Sequence, residues 1–164
     1  CALPIYPITT TAAVTINHGW MVFDSLYGVN SKLEAKPQMA EGHTVSADGR
    51  TWLIKLRPGL KFHDGEPVLA KDCAASLARW AARDVFGQVL AKVVESWSAA
   101  DDRTIKVSLT KPFPLLVQAI AQQNSFIMPE RLAKTDPFKQ IPEVVGSGPF
   151  RFVANEYVAG NFAA

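Results

Sequence analysis

The sequence predicts an α+β fold with antiparallel strand pairing, and three observations support this prediction. Short segments with alternating apolar residues precede two helical segments, and a second pair of strand-like segments and several short helices follow. Tight turns such as Ala47-Asp48-Gly49 separate neighbouring strands, as in antiparallel hairpins. The element order also lacks the strand–helix–strand alternation of a parallel sheet. We therefore expect small antiparallel sheets with packed helices.

The composition is that of a folded globular domain. Of the 164 residues, 48% are hydrophobic and 20% are charged, with four Trp and nine Phe. The net charge of +2 is too small and too scattered for a nucleic-acid or polybasic membrane surface. No apolar run reaches the roughly 18 residues of a membrane-spanning helix. The two cysteines are too few for a disulfide framework.

In the first part of the chain, apolar residues with helical spacing predict a helix over residues 12–27 that Gly28 ends. Residues 29–41 are expected to form a loop that leads to two short strands joined by the turn at residues 47–49. The second strand is expected to bury one face, which carries Trp52, Ile54 and Leu56.

Residues 56–72 combine a strand end, two turns and a helix start. Pro58-Gly59 and Asp64-Gly65 are turn dipeptides. After Pro67 the spacing predicts a helix over residues 69–83, with Asp72 in its first turn, where a carboxylate suits the helix dipole. Its predicted apolar face carries Leu69, Cys73, Leu77, Trp80 and Ala81, so we expect Cys73 to be a buried free thiol.

The later segments are predicted as a series of short elements. A helix over residues 84–95, with Asp84 near its N-cap and a broad apolar face, is expected to pack against the helix over residues 69–83. Residues 96–99 and 103–109 are predicted to form a hairpin, and residues 115–121 a helix. A strand over residues 126–128 and a helix over residues 129–134, with Pro129 at N1, are expected to follow. The last prediction is a loop over residues 146–153 that leads into a strand with Phe150 and Phe152 on one face.

Catalytic and metal-binding patterns are absent from the sequence. The three histidines, His18, His43 and His63, are far apart and none is spaced as a metal-ligand pair. His63 and Asp64 are neighbours in a tight turn, so we expect their side chains to point apart. Neither a nucleophile elbow nor a dinucleotide-binding loop is present, and we expect no cofactor.

Five different segments occur in order along the chain, although each alone is an ordinary loop or turn sequence. They are residues 17–26 (Asn-His-Gly-Trp-Met-Val-Phe-Asp-Ser-Leu), 37–41 (Pro-Gln-Met-Ala-Glu), 46–52 (Ser-Ala-Asp-Gly-Arg-Thr-Trp), 56–72, and 146–151 (Gly-Ser-Gly-Pro-Phe-Arg). Together, from about residue 8 to about residue 160, the chain resembles the family 5 extracellular solute-binding proteins, the dipeptide, oligopeptide and nickel receptors of bacterial ABC importers.

This resemblance implies a fold and a role. The family's members are longer and have two lobes that close on a ligand, so it implies an N-terminal fragment of a type II periplasmic binding protein. The implied parts are a first-lobe N-terminal segment and helix (1–28), an outlying subdomain of the first lobe (29–144) and a return segment into the main lobe (145–164). The implied function is capture of peptides or a related small polar solute in the periplasm and its delivery to ABC permease subunits, without catalysis. Cys1 is either an acylated lipoprotein cysteine, which would anchor the full-length form, or a cloning or truncation boundary.

The resemblance also implies where ligand would bind. In the nickel-binding branch, residues from the segment before the first helix, the second subdomain helix and the link before a Phe-Ile-x-Pro strand line the cleft. Phe86 matches a Trp of that branch, and is either an aromatic wall of the cleft or a core residue. Gln122 replaces an Arg, and a neutral amide cannot pair with an anionic metal chelate, which favours a peptide or another neutral solute. The implied ligand-binding residues are Thr9, Thr10, Thr11, Ile16, Phe86, Gln122, Gln123 and Asn124.

Two other functions remain open at this point. The same fold could be the solute-sensing domain of a transcriptional regulator. An uncharacterised hydrolase or isomerase would require a cleft with convergent polar side chains of shifted pKa.

Overall fold

The computed structural model describes residues 13–121 and 124–156 and confirms the α+β prediction. Within these residues the helices are α1 (Ala13–Val22), α2 (Ala70–Arg83), α3 (Val85–Ala91), α4 (Leu116–Ile120) and α5 (Glu130–Ala133), and the strands are β1 (Asp24–Ser25), β2 (Tyr27–Val29), β3 (Ala35–Pro37), β4 (Ala40–Val45), β5 (Thr51–Leu56), β6 (Val94–Ala99), β7 (Thr104–Leu109) and β8 (Phe126–Ile127).

The main sheet has four antiparallel strands in the order β4-β5-β7-β6, and two smaller antiparallel pairs join β1 to β8 and β2 to β3. The alternation predicted for the second strand is correct, because the side chains of Trp52, Ile54 and Leu56 are buried. Trp52 pairs with Val107 and Ile54 with Ile105 across β5 and β7, so both strands contribute to one apolar face. This face forms one side of the core.

Helix α2 is the other side of the core. It contacts β6, β7, β8, α3 and α5. Its predicted apolar face is confirmed, since Cys73, Leu77, Trp80 and Ala81 are buried and Leu69 is the N-cap. Burial raises the pKa of the Cys73 thiol, which is therefore held in its neutral form.

A second face of α2 is polar but also buried. Asp72, Ser76 and Arg79 follow each other at spacings of four and three residues, and 6%, 2% and 3% of their surfaces are exposed. Each binds backbone groups of residues 128–139. The sequence pattern did not indicate this buried polar face.

The three side chains satisfy different backbone groups. One oxygen of the Asp72 carboxylate accepts a hydrogen bond from Leu69 N, and the other from Glu130 N, both at 2.8 Å. Ser76 Oγ donates to the carbonyl oxygen of Met128 and accepts from its N–H, both at 3.0 Å. The Arg79 guanidinium donates to several carbonyl oxygens, those of Ala133, Thr135, Asp136 and Lys139.

The predicted first helix is too long at its C-terminal end. It ends at Val22, because the following residues pair with distant parts of the chain: Asp24 lies opposite Ile127, and Tyr27 opposite Pro37. Gly28 consequently lies in β2 rather than at a helix end. The same pairing places residues 35–37 in a strand within the predicted loop over residues 29–41.

Three later predictions also need correction. The helix predicted over residues 84–95 ends at Ala91, because Val94 already pairs with Leu109 in the main sheet; the predicted Asp84 N-cap and the packing on α2 are confirmed. Pro129 is the N-cap of α5 rather than N1. No strand follows Gly146 among the described residues. Instead, Gly148 N and Phe150 N donate to the carbonyl oxygens of Val22 and Met21.

We expect replacement of Asp72 by Ala to lower the free energy of unfolding by about 2 to 4 kcal/mol, because two buried backbone N–H groups lose their acceptor. Urea unfolding measures the change. The control is Asp102→Ala, at an exposed turn residue, which should change the value by less than about 0.5 kcal/mol. Equal effects of the two substitutions would contradict the role given to Asp72.

Gly146 has a different structural role, since a Cβ added there would overlap the carbonyl oxygen of Val22. We expect Gly146→Ala to destabilise the chain by about 3 kcal/mol, because the overlapping atoms belong to the backbone and cannot rotate away. Gly42→Ala is the matched control, because nothing lies within 4 Å of its added Cβ. Thermal unfolding compares the two, and a Gly146 variant as stable as the Gly42 variant would refute the close approach.

Candidate functional site

Three of the eight implied ligand-binding residues lie in the described part of the chain. Ile16 is half-buried on α1, Phe86 lies on α3, and Asn124 follows α4. The other five, Thr9, Thr10, Thr11, Gln122 and Gln123, lie outside the described residues.

Ring packing connects the elements that carry Ile16 and Asn124. Trp20 lies one helical turn after Ile16 on α1, so the two side chains share a face. The Trp20 ring meets the Phe126 ring edge-on, with 4.9 Å between ring centroids. Asn124 is two residues before Phe126 in the link that leads into β8. The fold therefore brings the candidate face of α1 next to this link.

Asn124 has an unusual backbone and an unsatisfied side-chain atom. Its φ of 75° lies in the left-handed region, which Asn tolerates better than most residues. Its Oδ1 atom is shielded from solvent and has no hydrogen-bond partner among the described residues. The next residue is anchored, since Ser125 Oγ donates to the carbonyl oxygen of Ile120 at 2.6 Å. A carbonyl-type acceptor is thus held at a defined position.

Phe86 is at the start of α3, whose direction is fixed by its cap and by a glycine. The Asp84 side chain accepts hydrogen bonds from Phe86 N at 2.9 Å and from Gly87 N at 3.0 Å. A Cβ added at Gly87 would lie 2.7 Å from Ala81 Cα, so this glycine allows α3 to pack tightly against α2. Leu90 on the same side is fully buried.

Three other apolar residues of α3 are exposed, so the broad apolar face predicted for this helix packs on α2 only in part. Val85 is 83% exposed, Phe86 42% and Val89 50%. The interpretation of Phe86 as a core residue is therefore wrong. Its interpretation as an aromatic wall of the cleft stays a prediction.

Helix α3 also contacts α4, the helix that precedes Asn124. The three described candidates consequently lie on three elements, α1, α3 and the link between α4 and β8, that are joined by packing. Together they provide apolar and aromatic groups and one amide, without a charged side chain of their own. Such a combination can bind a solute by shape and hydrogen bonding.

Catalytic chemistry has no support in the described residues. His63 Nε2 donates to the carbonyl oxygen of Gly148 at 2.8 Å, whereas Asp64 pairs with Arg131 at 2.8 Å. The prediction that the side chains of His63 and Asp64 point apart is confirmed. Within residues 13–121 and 124–156, no group of three or more His, Cys, Asp or Glu side chains could hold a metal ion.

The surface has other concave regions that do not involve the candidates. A groove of about 480 Å³ lies between α2, β6 and α5, and its floor is formed mainly by alanines of α2. A second pocket of about 320 Å³ lies beside His63 and Phe152. Neither is lined by Ile16, Phe86 or Asn124.

Comparison with known proteins gives a consistent assignment. Residues 34–161 match the family model described as bacterial extracellular solute-binding proteins, family 5 Middle. A probable peptide ABC transporter periplasmic-binding protein of Sinorhizobium fredii is 40% identical over 146 residues, which are 89% of this chain and 28% of that protein. A glutathione-binding protein of Pectobacterium atrosepticum is 33% identical over 135 residues, which are 80% of this chain and 26% of that protein. The chain thus spans about a quarter of the length of these relatives.

A solved structure shows the same fold. The dipeptide binding protein of Pseudoalteromonas sp. SM9913, in complex with Met-Leu, superposes with a TM-score of 0.80 and 19% identity, over 96% of this chain and 36% of that chain. The architecture described above is therefore that of part of a type II periplasmic binding protein. Among the residues described for this chain, no helix is both long and apolar enough to cross a membrane.

The pH dependence of stability can test the environment of His18, which lies on α1 between Ile16 and Trp20. Burial lowers its pKa below 6.5, and the Phe152 ring meets it edge-on at 5.9 Å. As the pH falls, His18 therefore binds a proton at a higher pH in the unfolded chain than in the folded chain. The contribution of neutral His18 to the stability of the fold is complete above pH 6.5 and is lost as the pH falls through the pKa of His18 in the folded chain.

We expect the free energy of unfolding to fall less steeply below about pH 6.5 in a His18→Asn variant than in the original chain. The other titrating groups are common to both proteins, so the difference between the two curves isolates His18. An NMR titration should give a His18 pKa below 6.5. Parallel stability curves would show that His18 is not desolvated.

Proposed function

The chain belongs to the bacterial extracellular solute-binding proteins of family 5, and on that premise we propose that it forms the first-lobe part of an importer receptor. This receptor captures a peptide or a related small polar solute in the periplasm by lobe closure and delivers it to ABC permease subunits. The peptide-binding relative at 40% identity and the shared fold with a dipeptide receptor support this proposal. Neither of these two proteins is named as a regulator or a hydrolase.

We propose the same division of the chain as the resemblance implies. Residues 29–144 contain the main sheet, α2 and α3, and form an outlying subdomain between residues 1–28 and residues 145–164. Hydrogen bonds from Gly148 N to Val22 O and from Phe150 N to Met21 O support this division. They join the return segment to the end of α1, as expected if both belong to one lobe and the subdomain is inserted between them.

The observation that carries the proposed site is the Asn124 Oδ1 atom, which is shielded from solvent and has no hydrogen-bond partner among the described residues. A buried acceptor without a partner is costly, and a ligand N–H group would remove that cost. Exposed Phe86 would provide an aromatic wall, and Ile16 an apolar contact. Thr9, Thr10, Thr11, Gln122 and Gln123 are proposed as ligand-binding residues on the resemblance alone.

The proposed function involves no catalysis and no cofactor. The buried Cys73 has a raised pKa and is not an activated nucleophile, and His63 and Asp64 are bound to different partners. Gln122 at the position of an Arg in the nickel-binding branch favours a neutral solute over an anionic metal chelate. Binding by shape and hydrogen bonds is therefore sufficient.

We expect Asn124→Gly, introduced into the whole receptor, to weaken peptide binding about tenfold, because one hydrogen bond to the ligand is lost. Glycine permits the positive φ at this position, so the change removes the amide without straining the backbone. Isothermal titration with a panel of di- and tripeptides measures the dissociation constants.

Asn124→Asp is the matched control, because it retains an acceptor oxygen and should bind more tightly than the glycine variant. A receptor that binds no member of the panel would contradict the proposed function. Unchanged binding in the glycine variant would instead remove Asn124 from the site. The 164-residue chain alone should bind the same peptides far more weakly, since the second lobe supplies part of the site in this proposal.

A further inference from the structure

Strand β6 forms an open edge of the main sheet, because β7 is the only strand that pairs with it among the described residues. A register shift between Val94 and Ser96 interrupts the pairing, which is regular from Ser96 to Ala99. The strand contains neither lysine nor proline, the residues that commonly protect an edge from further pairing. The opposite edge strand, β4, is partly covered by its contact with β3. Residues 96–99 are therefore the part of the sheet to which another strand can be added.

The alternation of hydrogen bonds shows which backbone groups of this edge point outward. In an antiparallel pair every second residue bonds to the neighbouring strand, and the residues between them direct their N–H and C=O groups away from it. Ala100 N donates to the carbonyl oxygen of Thr104 at 2.8 Å, so Ser98 is the preceding residue that bonds to β7. The backbone groups of Trp97 and Ala99 consequently face outward. No backbone hydrogen bond from outside the sheet reaches them among the described residues.

The outward groups define the kind of partner that fits this edge. Trp97 and Ala99 each offer one donor and one acceptor, two positions apart, which is the spacing of an antiparallel strand. The β6 strand of a second copy offers the same groups at the same spacing. A symmetric pair centred on Ser98 would place Trp97 of each copy opposite Ala99 of the other, and every outward donor would then meet an acceptor.

The side chains of β6 complement each other in the same arrangement. Trp97 lies opposite Val107 in β7, and Ala99 lies opposite Ile105; both of these partners are buried, so Trp97 and Ala99 are on the α2 side of the sheet. They line the groove of about 480 Å³ whose floor is formed mainly by alanines of α2. In the symmetric pair, the large Trp97 side chain of each copy would lie beside the small Ala99 of the other and enter this groove.

Charge does not oppose this contact. The regular part of the edge, residues 96–99, has no charged side chain. The flanking acids, Glu95 and Asp101, lie at the register shift and in the turn that follows β6, outside the paired part. At the rim of the groove, Lys134 is paired with Glu130 at 2.6 Å. An uncharged strand can therefore approach without bringing like charges together at its centre.

We propose that two copies of this chain associate through β6, which pairs antiparallel with itself about Ser98 and joins the two four-stranded sheets into one continuous sheet. The groove beside α2 then holds the Trp97 side chain of the second copy. This inference does not depend on the proposed function, since neither a peptide nor a second lobe takes part in the contact.

Sedimentation velocity of the 164-residue chain over a range of concentrations measures the association. We expect a monomer–dimer equilibrium in which Ala99→Pro raises the dissociation constant at least about tenfold, because two hydrogen bonds between the copies lose their donors. Proline is tolerated on an edge strand where the N–H points outward. Val45→Pro is the matched control in β4, where Ser46 N donates to Thr51 O and the N–H of Val45 points outward too. It should leave the dissociation constant unchanged.

Amide hydrogen exchange followed by NMR tests the same contact without a substitution. The exchange of Trp97 N–H and Ala99 N–H should become slower as the protein concentration rises, and much more so than that of Val45 N–H. Three results would each overturn the inference: a chain that stays monomeric up to about 1 mM, a dimer that the Ala99→Pro variant retains, and exchange at Trp97 and Ala99 that is independent of concentration.

Discussion

Buried backbone groups between Met128 and Lys139 are satisfied by three polar side chains of α2, and the surrounding elements depend on this contact. The segment contains only the four-residue helix α5, and its internal hydrogen bonds leave other backbone groups, such as Met128 N and Glu130 N, to find partners elsewhere. Asp72, Ser76 and Arg79 supply the missing acceptors and donors from one helix face. Because the apolar face of α2 is buried against the main sheet, the helix holds two parts of the fold together.

The proposed site depends on α2 through two routes. Ser76 fixes Met128, which directly follows β8, and β8 places Phe126 against Trp20 of α1. The other route is the short connection at Asp84, which ends α2 and caps α3. Disturbing the polar face of α2 should therefore move the Asn124 link, whereas disturbing the contact with Gly87 should move the apolar face of α3. The proposed ligand-binding residues on these elements are therefore positioned through α2.

Local patterns predicted those parts of the fold whose partners are near in sequence. The turn at Gly49, the alternation in β5 and the apolar face of α2 were all recognised because each pattern repeats within a few residues. The pairing of β1 with β8 joins residues about a hundred positions apart in the sequence, so no local sequence pattern indicates it. The polar face of α2 was missed because its spacing is also that of a solvated face. The opposite error occurred for α3, where the spacing of Val85 and Val89 is that of a buried face although both side chains are exposed.

The segment that marks the family most clearly, residues 56–72, makes its hydrogen bonds and ion pairs with residues other than Ile16, Phe86 and Asn124, the proposed ligand-binding residues in the described part of the chain. His63 in residues 56–72 binds the backbone of Gly146 and Gly148, Asp64 binds Arg131, and Asp72 caps two helices. These contacts stabilise the junction between the turn, α5 and the return segment, whatever solute is bound. The segment that identifies the family therefore supports the fold, whereas the ligand-binding residues proposed for this chain, among them Phe86 and Asn124, lie on other elements.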